Sequence, residues 1–431
     1  MKTLNGEGQL WWSQWVPERW HSIIQNTLWL YLVQFSSYLL PFLTLPYLSR
    51  VLSVEHFGQI AYAQSVIWNF VTLTEYGFNL TATRDVSIHR HSPEQLTRIT
   101  NAVLMAKMIL TFTGLAILLI ITTLVTRIHA QRPLLLITFV SVFGYALFPM
   151  WLYQGLEMMR QVAFRDLAAK FVTFVLLFAF VRSDRDYLWA AVAQSSGLVL
   201  AGLVDLISVR RLTKVQFAMP EWSQVRAELR TGFPPFLFNG ISAMAYSFSV
   251  MFVEWKGQIA QIGYFNAAFR IVSVVRALPG PVSVAVYSRL SYRASQDKNS
   301  PIRFVDKYWK VFAAPFFAIA VVVTLLAPWV VPAFLGKKYV PAVVPLQILA
   351  WGPLLLAWSQ FYSTYYMLPC RYDKAWMRLA ITCSVLGNLC LLPALRVTSG
   401  GAAIAFSMTI GEAFALLAYG WFYYTHTKGQ H

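Results

Sequence analysis

Apolar residues run along this chain in long blocks, separated by short polar or basic connectors, with no sustained strand-like alternation. A helix needs about 20 apolar residues to cross the hydrocarbon core, and twelve such blocks fit the chain. In the first half they fall near Ile23–Phe42, Gly58–Phe78, Ala102–Thr126, Leu134–Tyr153, Val162–Val181 and Tyr187–Val209. In the second they fall near Phe233–Val253, Ile262–Tyr287, Val311–Phe334, Val343–Leu368, Leu379–Leu395 and Ala402–Tyr424. The pattern predicts an all-α polytopic membrane protein of about 12 transmembrane helices.

Composition strengthens this reading. Of 431 residues, 57% are hydrophobic and 12% charged, against about 25% charged in a soluble domain, which excludes a soluble enzyme. The net charge of +17 reports topology in such a protein, so no nucleic-acid partner is expected. Lys and Arg are more than twice as frequent in one set of alternate connectors, that of Arg84, Arg98, Arg210, Arg289, Arg303 and Arg371, as in the other, that of Arg50, Arg127, Arg182, Lys256 and Lys338. Both termini are therefore expected in the cytoplasm. The outer connectors are too short to hold a catalytic domain. No cleavable signal is visible. Before the first block, Trp11, Trp12, Trp15 and Trp20 suit either an interfacial segment or an aromatic belt. Cys370, Cys383 and Cys390 have no metal spacing and read as packing residues.

The two halves share a pattern. Gly58 recurs as Gly263 and Arg84 as Arg289, both at an offset of 205, each pair bracketing one span and a basic connector. The segment Phe57-Gly58-Gln59-Ile60-Ala61-Tyr62-Ala63 resembles Ile262-Gly263-Tyr264-Phe265-Asn266-Ala267-Ala268. Six spans per half give a parallel repeat about an axis along the membrane normal, with a substrate site between the halves. The expected organisation is an N-terminal segment 1–22, an N-lobe 23–209, a basic linker 210–230, a C-lobe 231–424 and a tail 425–431.

Charge inside a span is costly, about 2.5–3.5 kcal/mol for a central Arg, and usually faces a protein interior or a water path. Arg270 lies about two turns into its span, with Asn266 and Ser273 on the same stripe. Arg276 follows, just before Pro279-Gly280-Pro281. Guanidinium groups suit phosphate or carboxylate oxygens, so these residues read either as a cationic cavity wall or as ion pairs with Glu254 or Asp205. Lys107 is a further cationic candidate, as is a snorkelling role for it and for Lys170. In the second span Gln64, Trp68 and Glu75 form one stripe, with Asn69 and Thr72 beside it, as suits a cavity. Gln34 in the first span, and Asn239 and Tyr246 in the seventh, are candidate polar lining residues. Glu75 and Glu412 are candidate ion-coupling carboxylates, Glu75 being equally readable as a cap or as a partner of Arg84. The chain has no GxxxxGK(S/T) loop and no HExxH motif. No metal, cofactor or catalytic residue is expected.

The blocks Leu45-Pro46-Tyr47-Leu48-Ser49-Arg50-Val51-Leu52, His56-Phe57-Gly58, Glu75-Tyr76-Gly77-Phe78, Ala82-Thr83-Arg84, Trp151-Leu152-Tyr153-Gln154-Gly155-Leu156-Glu157 and Gly263-Tyr264-Phe265-Asn266-Ala267-Ala268 carry a family likeness. The chain resembles the polysaccharide-transporter branch of the MOP (multidrug, oligosaccharidyl-lipid, polysaccharide) exporters, specifically the Wzx-type O-antigen flippases. The resemblance implies a bacterial inner-membrane protein with two six-helix lobes around a cationic cavity. It implies translocation of undecaprenyl-diphosphate-linked oligosaccharide repeat units by alternating access, coupled to an ion gradient, with no bond made or broken. Expected partners are that lipid-linked glycan, membrane lipids, a polysaccharide polymerase and a chain-length regulator. Two alternatives stay open: a drug or cation exporter of the same superfamily, and a membrane glycosyltransferase or polymerase. Mid-span charge that is mainly basic argues against the first, and short outer loops against the second.

Overall fold

The computed structural model describes residues 42–213, 215–297 and 299–427. The Trp-rich start, almost all of the expected first span and Gln34 lie outside the described residues, as does the side chain of Tyr246. Every regular element among the described residues is helical. A helical stretch at 42–51 is followed by α1 (Val54–Glu75), α2 (Phe78–Ile88), α3 (Pro93–Leu124), α4 (Thr126–His129), α5 (Arg132–Leu147), α6 (Met150–Gly155), α7 (Met159–Phe180) and α8 (Tyr187–Thr213). The second half holds α9 (Trp222–Trp255), α10 (Ile259–Ala277), α11 (Gly280–Gln296), α12 (Ser300–Leu335), α13 (Val343–Leu349), α14 (Gly352–Tyr362), α15 (Asp373–Leu389), α16 (Leu391–Val397) and α17 (Gly400–Thr427).

Local chemistry sets the breaks that matter for the site. The Ser53 hydroxyl accepts from the His56 N–H at 3.2 Å and starts α1. Tyr76 and Gly77, with φ of 47° and 90°, end it and turn the chain into α2. Phe148 and Pro149 separate α5 from α6, and Leu278 and Pro279 separate α10 from α11.

Seven helical stretches among the described residues are long and apolar enough to cross a membrane: Pro93–Leu124, Arg132–Gly155, Asp184–Arg211, Ser300–Leu335, Lys337–Met367, Asp373–Val397 and Gly400–Thr427. The bent pair Trp222–Leu237 and Asn239–Trp255 makes up to eight. Twelve were expected from the sequence. The first lies outside the described residues, while the expected second, fifth and eighth correspond to α1, α7 and α10, whose polar and charged side chains dilute their apolar character.

The packing differs at the two ends of the molecule. At the end carrying the 52–53, 256–258 and 336–342 connectors, one core spans both halves and joins Leu48, Phe57, Ile262, Phe265, Tyr339 and Leu346. At the opposite end the core divides. Phe78, Val86, Trp151, Tyr153 and Val209 form a cluster that α9 joins through Val225, and Leu290, Phe361, Tyr365 and Tyr423 form a separate one from the second half. At the shared end a Cβ on Gly58 would lie 2.2 Å from the Ile259 carbonyl oxygen, and one on Gly263 would lie 2.6 Å from that of Val54. The contact is reciprocal: each glycine meets the residue four positions before its counterpart, at the offset of 205. Small residues permit this approach of two helices in a membrane. Polar links add to it, since Lys338 Nζ donates to the Arg50 carbonyl at 3.2 Å and Arg50 Nη2 to that of Ala333 at 3.2 Å. In the first half, Asp184 Oδ1 accepts from the Ser53 N–H at 2.6 Å and lies 2.8 Å from His56 Nδ1.

Candidate functional site

Arg270 sits on α10 where the halves meet, and its side chain reaches the first half. Its Nε donates to Asn266 Oδ1 at 2.9 Å, one turn back on the same helix, and its Nη2 to Gln64 Oε1 of α1 at 3.1 Å. The guanidinium carbon lies 5.5 Å from the centre of the Phe57 ring, a distance at which the cation is attracted to the ring face. Gln64 in turn donates to Gln194 of α8. Arg270, Gln194, Lys170 and Thr44 line a chamber of about 90 Å³, so two cationic residues border one small space between the halves. Lys170 is ion-paired with Asp166 one turn back on α7, in place of the expected snorkelling. The Ser273 hydroxyl donates to the Arg270 carbonyl at 2.8 Å, so its proton is held by the backbone of its own helix.

The polar stripe of α1 faces a larger cavity of about 550 Å³, to which both halves contribute: Trp68, Thr72, Glu75 and Asn79 from the first, Asn239 from the second. Trp68 is exposed there. Asn69 turns inward, its amide donating to the Ser65 and Val66 carbonyls at 3.2 Å each. Glu75 is held from two sides. Asn79 Nδ2 donates to Oε2 at 2.7 Å, and Lys107 Nζ lies 3.0 Å from Oε1. Lys107 is fully buried, and its ammonium also donates to the carbonyls of Tyr145 at 2.8 Å and Phe148 at 3.3 Å. Carbonyls at a helix C-terminus lack intrahelical partners and carry partial negative charge, so the break at Phe148-Pro149 builds part of the lysine's site. Snorkelling is thereby corrected for Lys107: three oxygens inside the protein accept hydrogen bonds from its ammonium. Arg84, the partner weighed for Glu75, instead pairs with Asp85 at 3.1 Å.

In the second half Arg276 and Glu412 form an ion pair between α10 and α17. Gly352 makes room for it, since a Cβ there would lie 2.9 Å from Glu412 Oε2 and 3.0 Å from Arg276 Nη1. Glu412 also borders a cavity of about 260 Å³ shared with Ser249, Asn388 and Ser407. Both ion-coupling candidates are thus bonded to cationic candidates, Glu412 to Arg276 and Glu75 to Lys107. Asp205, considered as an arginine partner, pairs with Arg165 instead and lies 3.4 Å from the Tyr153 hydroxyl, while the Arg165 guanidinium stacks 4.4 Å above the Tyr153 ring. Nothing in the sequence around Arg165 marks it as a partner of Asp205. Its distance from Asp205 along the chain left no local signal, whereas Asp166 and Lys170 stand at the i, i+4 spacing that favours a pair.

The features so far define a two-halved helical membrane protein, with one shared core at one end and two separate clusters at the other, ion pairs within each half, and polar chambers to which both halves contribute. Residues 23–291 match the family model described as polysaccharide biosynthesis protein, and the chain belongs to that family. Two curated relatives bear the name "Putative O-antigen transporter". That of Escherichia coli (strain K12) is 28% identical over 372 residues, covering 86% of this chain and 90% of the relative. That of Shigella dysenteriae is 26% identical over 369 residues, covering 86% and 92%. Among solved structures, the lipid II flippase MurJ in an inward closed conformation is similar in fold, with a TM-score of 0.73, 14% identity, and coverage of 92% of this chain and 87% of that one. An inward-facing MATE family transporter of the MOP superfamily gives a TM-score of 0.74 at 16% identity, covering 90% and 93%.

Proposed function

We propose that this protein is a flippase that moves undecaprenyl-diphosphate-linked oligosaccharide repeat units from the cytoplasmic to the periplasmic leaflet of a bacterial inner membrane. The observation that carries the reading is the uneven packing of the halves: one core at one end, two at the other, with Arg270 and the Glu75 cavity between. The connectors at the divided end hold most of the Lys and Arg, so that end faces the cytoplasm and the Gly58–Gly263 contact closes the periplasmic side. A hydrated glycan then crosses within the protein while its polyprenyl tail stays in lipid. Rocking of one half against the other exchanges the open end, and no bond is made or broken. Both termini are cytoplasmic on this reading, and residues 210–230 join the lobes. The names of the two enterobacterial relatives support a polysaccharide cargo. A polysaccharide polymerase and a chain-length regulator are the partners that would receive it.

The test is a deletion strain whose lipid-linked glycans are assigned to a leaflet with a membrane-impermeant probe on oriented vesicles. Complete repeat units held on the cytoplasmic leaflet, and released when the gene is restored, are expected. Units already on the periplasmic leaflet and unpolymerised point to a polymerase or ligase. Unchanged glycans with altered drug tolerance point to an exporter.

Arg270 is assigned to the cargo path. Loss of a hydrogen bond to a charged group costs about 1.5–3 kcal/mol, roughly a ten- to hundredfold change, so Arg270→Ala is expected to reduce glycan export by at least that lower factor without loss of membrane insertion. Near-normal export would remove Arg270 from the path. Ion coupling is assigned to Glu75 and Glu412, each of which is bonded to a cation. With an imposed proton gradient, Glu75→Gln or Glu412→Gln is expected to abolish the acceleration seen with the unaltered protein. A gradient response retained in both variants rules out both carboxylates.

A further inference from the structure

The two halves repeat one turn in full. In the first, the N–H groups of Leu156, Glu157 and Met158 donate to the carbonyls of Leu152, Gln154 and Tyr153 at 3.0, 3.1 and 2.8 Å. In the second, those of Cys370, Arg371 and Tyr372 donate to Tyr366, Leu368 and Met367 at 3.0, 3.0 and 2.9 Å. Glu157 and Arg371 both adopt positive φ, 58° and 63°. The correspondence runs at an offset of 214 residues throughout.

The spaces beside these equivalent turns differ. In the first half α2 packs directly on the turn, because Gly155 has no side chain: a Cβ there would lie 2.5 Å from Val86 Cγ1. Val86, Trp151 and Tyr153 are fully buried as a result. In the second half the equivalent of Gly155 is Pro369, and Ser291 stands 205 residues beyond Val86. There α11 and the turn border a cavity of about 820 Å³, lined by Tyr287, Ser291, Tyr366, Arg371, Tyr372 and Asp373. That is within the range of about 300–1,000 Å³ typical of small-molecule sites. The Ser291 hydroxyl is buried and has no hydrogen-bond partner, and such groups are rare unless a ligand or water meets them. The Tyr372 ring is fixed by Tyr366 at 6.0 Å, Phe422 at 5.2 Å and His426 at 5.6 Å.

We infer that this pocket is a carbohydrate-binding site outside the central path, which holds the glycan of the cargo at the divided end. The chemistry selects the ligand class. Tyrosine rings offer flat apolar faces with a polar edge. Ser291, Arg371 and Asp373 together supply donors and acceptors of both charge signs. A sugar ring, with one apolar face and hydroxyls around it, meets both demands. A phosphate would meet the Asp373 carboxylate. Identifying the sugar as part of a transported lipid-linked unit rests on the flippase reading.

Binding of the oligosaccharide repeat unit, released from its lipid by mild acid, should be measured by calorimetry on the purified full-length protein in detergent. Ser291→Leu, which fills the cavity as Val86 fills its counterpart, is expected to weaken binding at least tenfold. Arg371→Gly keeps the turn, since glycine adopts positive φ freely, and is expected to leave the melting temperature equal or higher while weakening binding at least fivefold. Lys256→Ala, exposed at the shared end and away from both the pocket and the central path, should bind normally. Unchanged affinity in both pocket variants overturns the inference, as does binding lost in Lys256→Ala alone. Glycerol 1-phosphate binding in place of the oligosaccharide also overturns it, by marking a lipid headgroup site. Oligosaccharide binding in a protein that moves no glycan between leaflets would sink the flippase reading and leave the pocket standing.

Discussion

Gly58→Ala should hold the protein away from the state closed at the shared end and cut glycan export to below about a tenth of the wild-type rate. The added methyl would lie 2.2 Å from the Ile259 carbonyl oxygen, where even a close carbon–oxygen contact needs about 3.3 Å. That oxygen belongs to a helical backbone and cannot swing aside, so α1 and α10 must part. Overpacking of this kind costs about 1–3 kcal/mol, and only in the state where the helices touch. An equilibrium between two access states would shift roughly five- to 150-fold. The check is the rate at which an impermeant maleimide labels Val54→Cys from outside, in a background lacking Cys370, Cys383 and Cys390. Labelling should be at least fivefold faster with alanine at position 58, and Gly263→Ala should act alike. Equal labelling and full export would show that the glycine contact does not set the closed state.

The second large effect is expected at Lys107. Removing one member of a buried ion pair costs about 3–5 kcal/mol, because the other is left charged and uncompensated. Glu75→Gln keeps an oxygen acceptor but leaves a fully buried ammonium with only neutral oxygens around it and no counter-charge, so a large fall in detergent melting temperature and in folded yield is expected. Lys107→Met is expected to be milder, since Glu75 borders a cavity and keeps its Asn79 hydrogen bond. The double variant should recover most of the stability lost in Glu75→Gln. If the two single losses simply add, the pair does not act as a unit. The gradient experiment on Glu75 must accordingly be normalised to folded protein.

Much of the helical layout was legible in the sequence because hydrocarbon imposes its thickness on any segment that crosses it. Where a helix is lined with partners inside the protein that constraint relaxes, and α1, α7 and α10 carry polar groups that weaken the signal. Arg270 and Asn266 were legible as neighbours, since the helical period alone places them together. Their meeting with Gln64 depends on how the halves touch, and only the recurrence of Gly58 as Gly263 hinted at that. Charged residues stood out singly because a lone charge in lipid is costly, but their partners did not. Lys107 is held beside Glu75 by carbonyls that the end of α5 at Leu147 leaves free. Arg276 finds Glu412 only because Gly352 leaves space for both. Such pairings depend on which helices are neighbours, and no local pattern encodes that.

The reciprocal glycine contact has one more consequence. A surface in which each member meets the other's equivalent residue is self-complementary, as in a twofold homodimer. The first half presents to the second what the second presents to it, so the chain carries a dimer interface within one polypeptide. The short segment between the end of α8 at Thr213 and the start of α9 at Trp222 is then a tether. It converts an encounter between two bodies into an intramolecular one, with an effective concentration on the order of millimolar for a short linker. In the proposed flippase cycle the interface can therefore be weak enough to break and re-form each time without the halves ever drifting apart in the plane of the membrane.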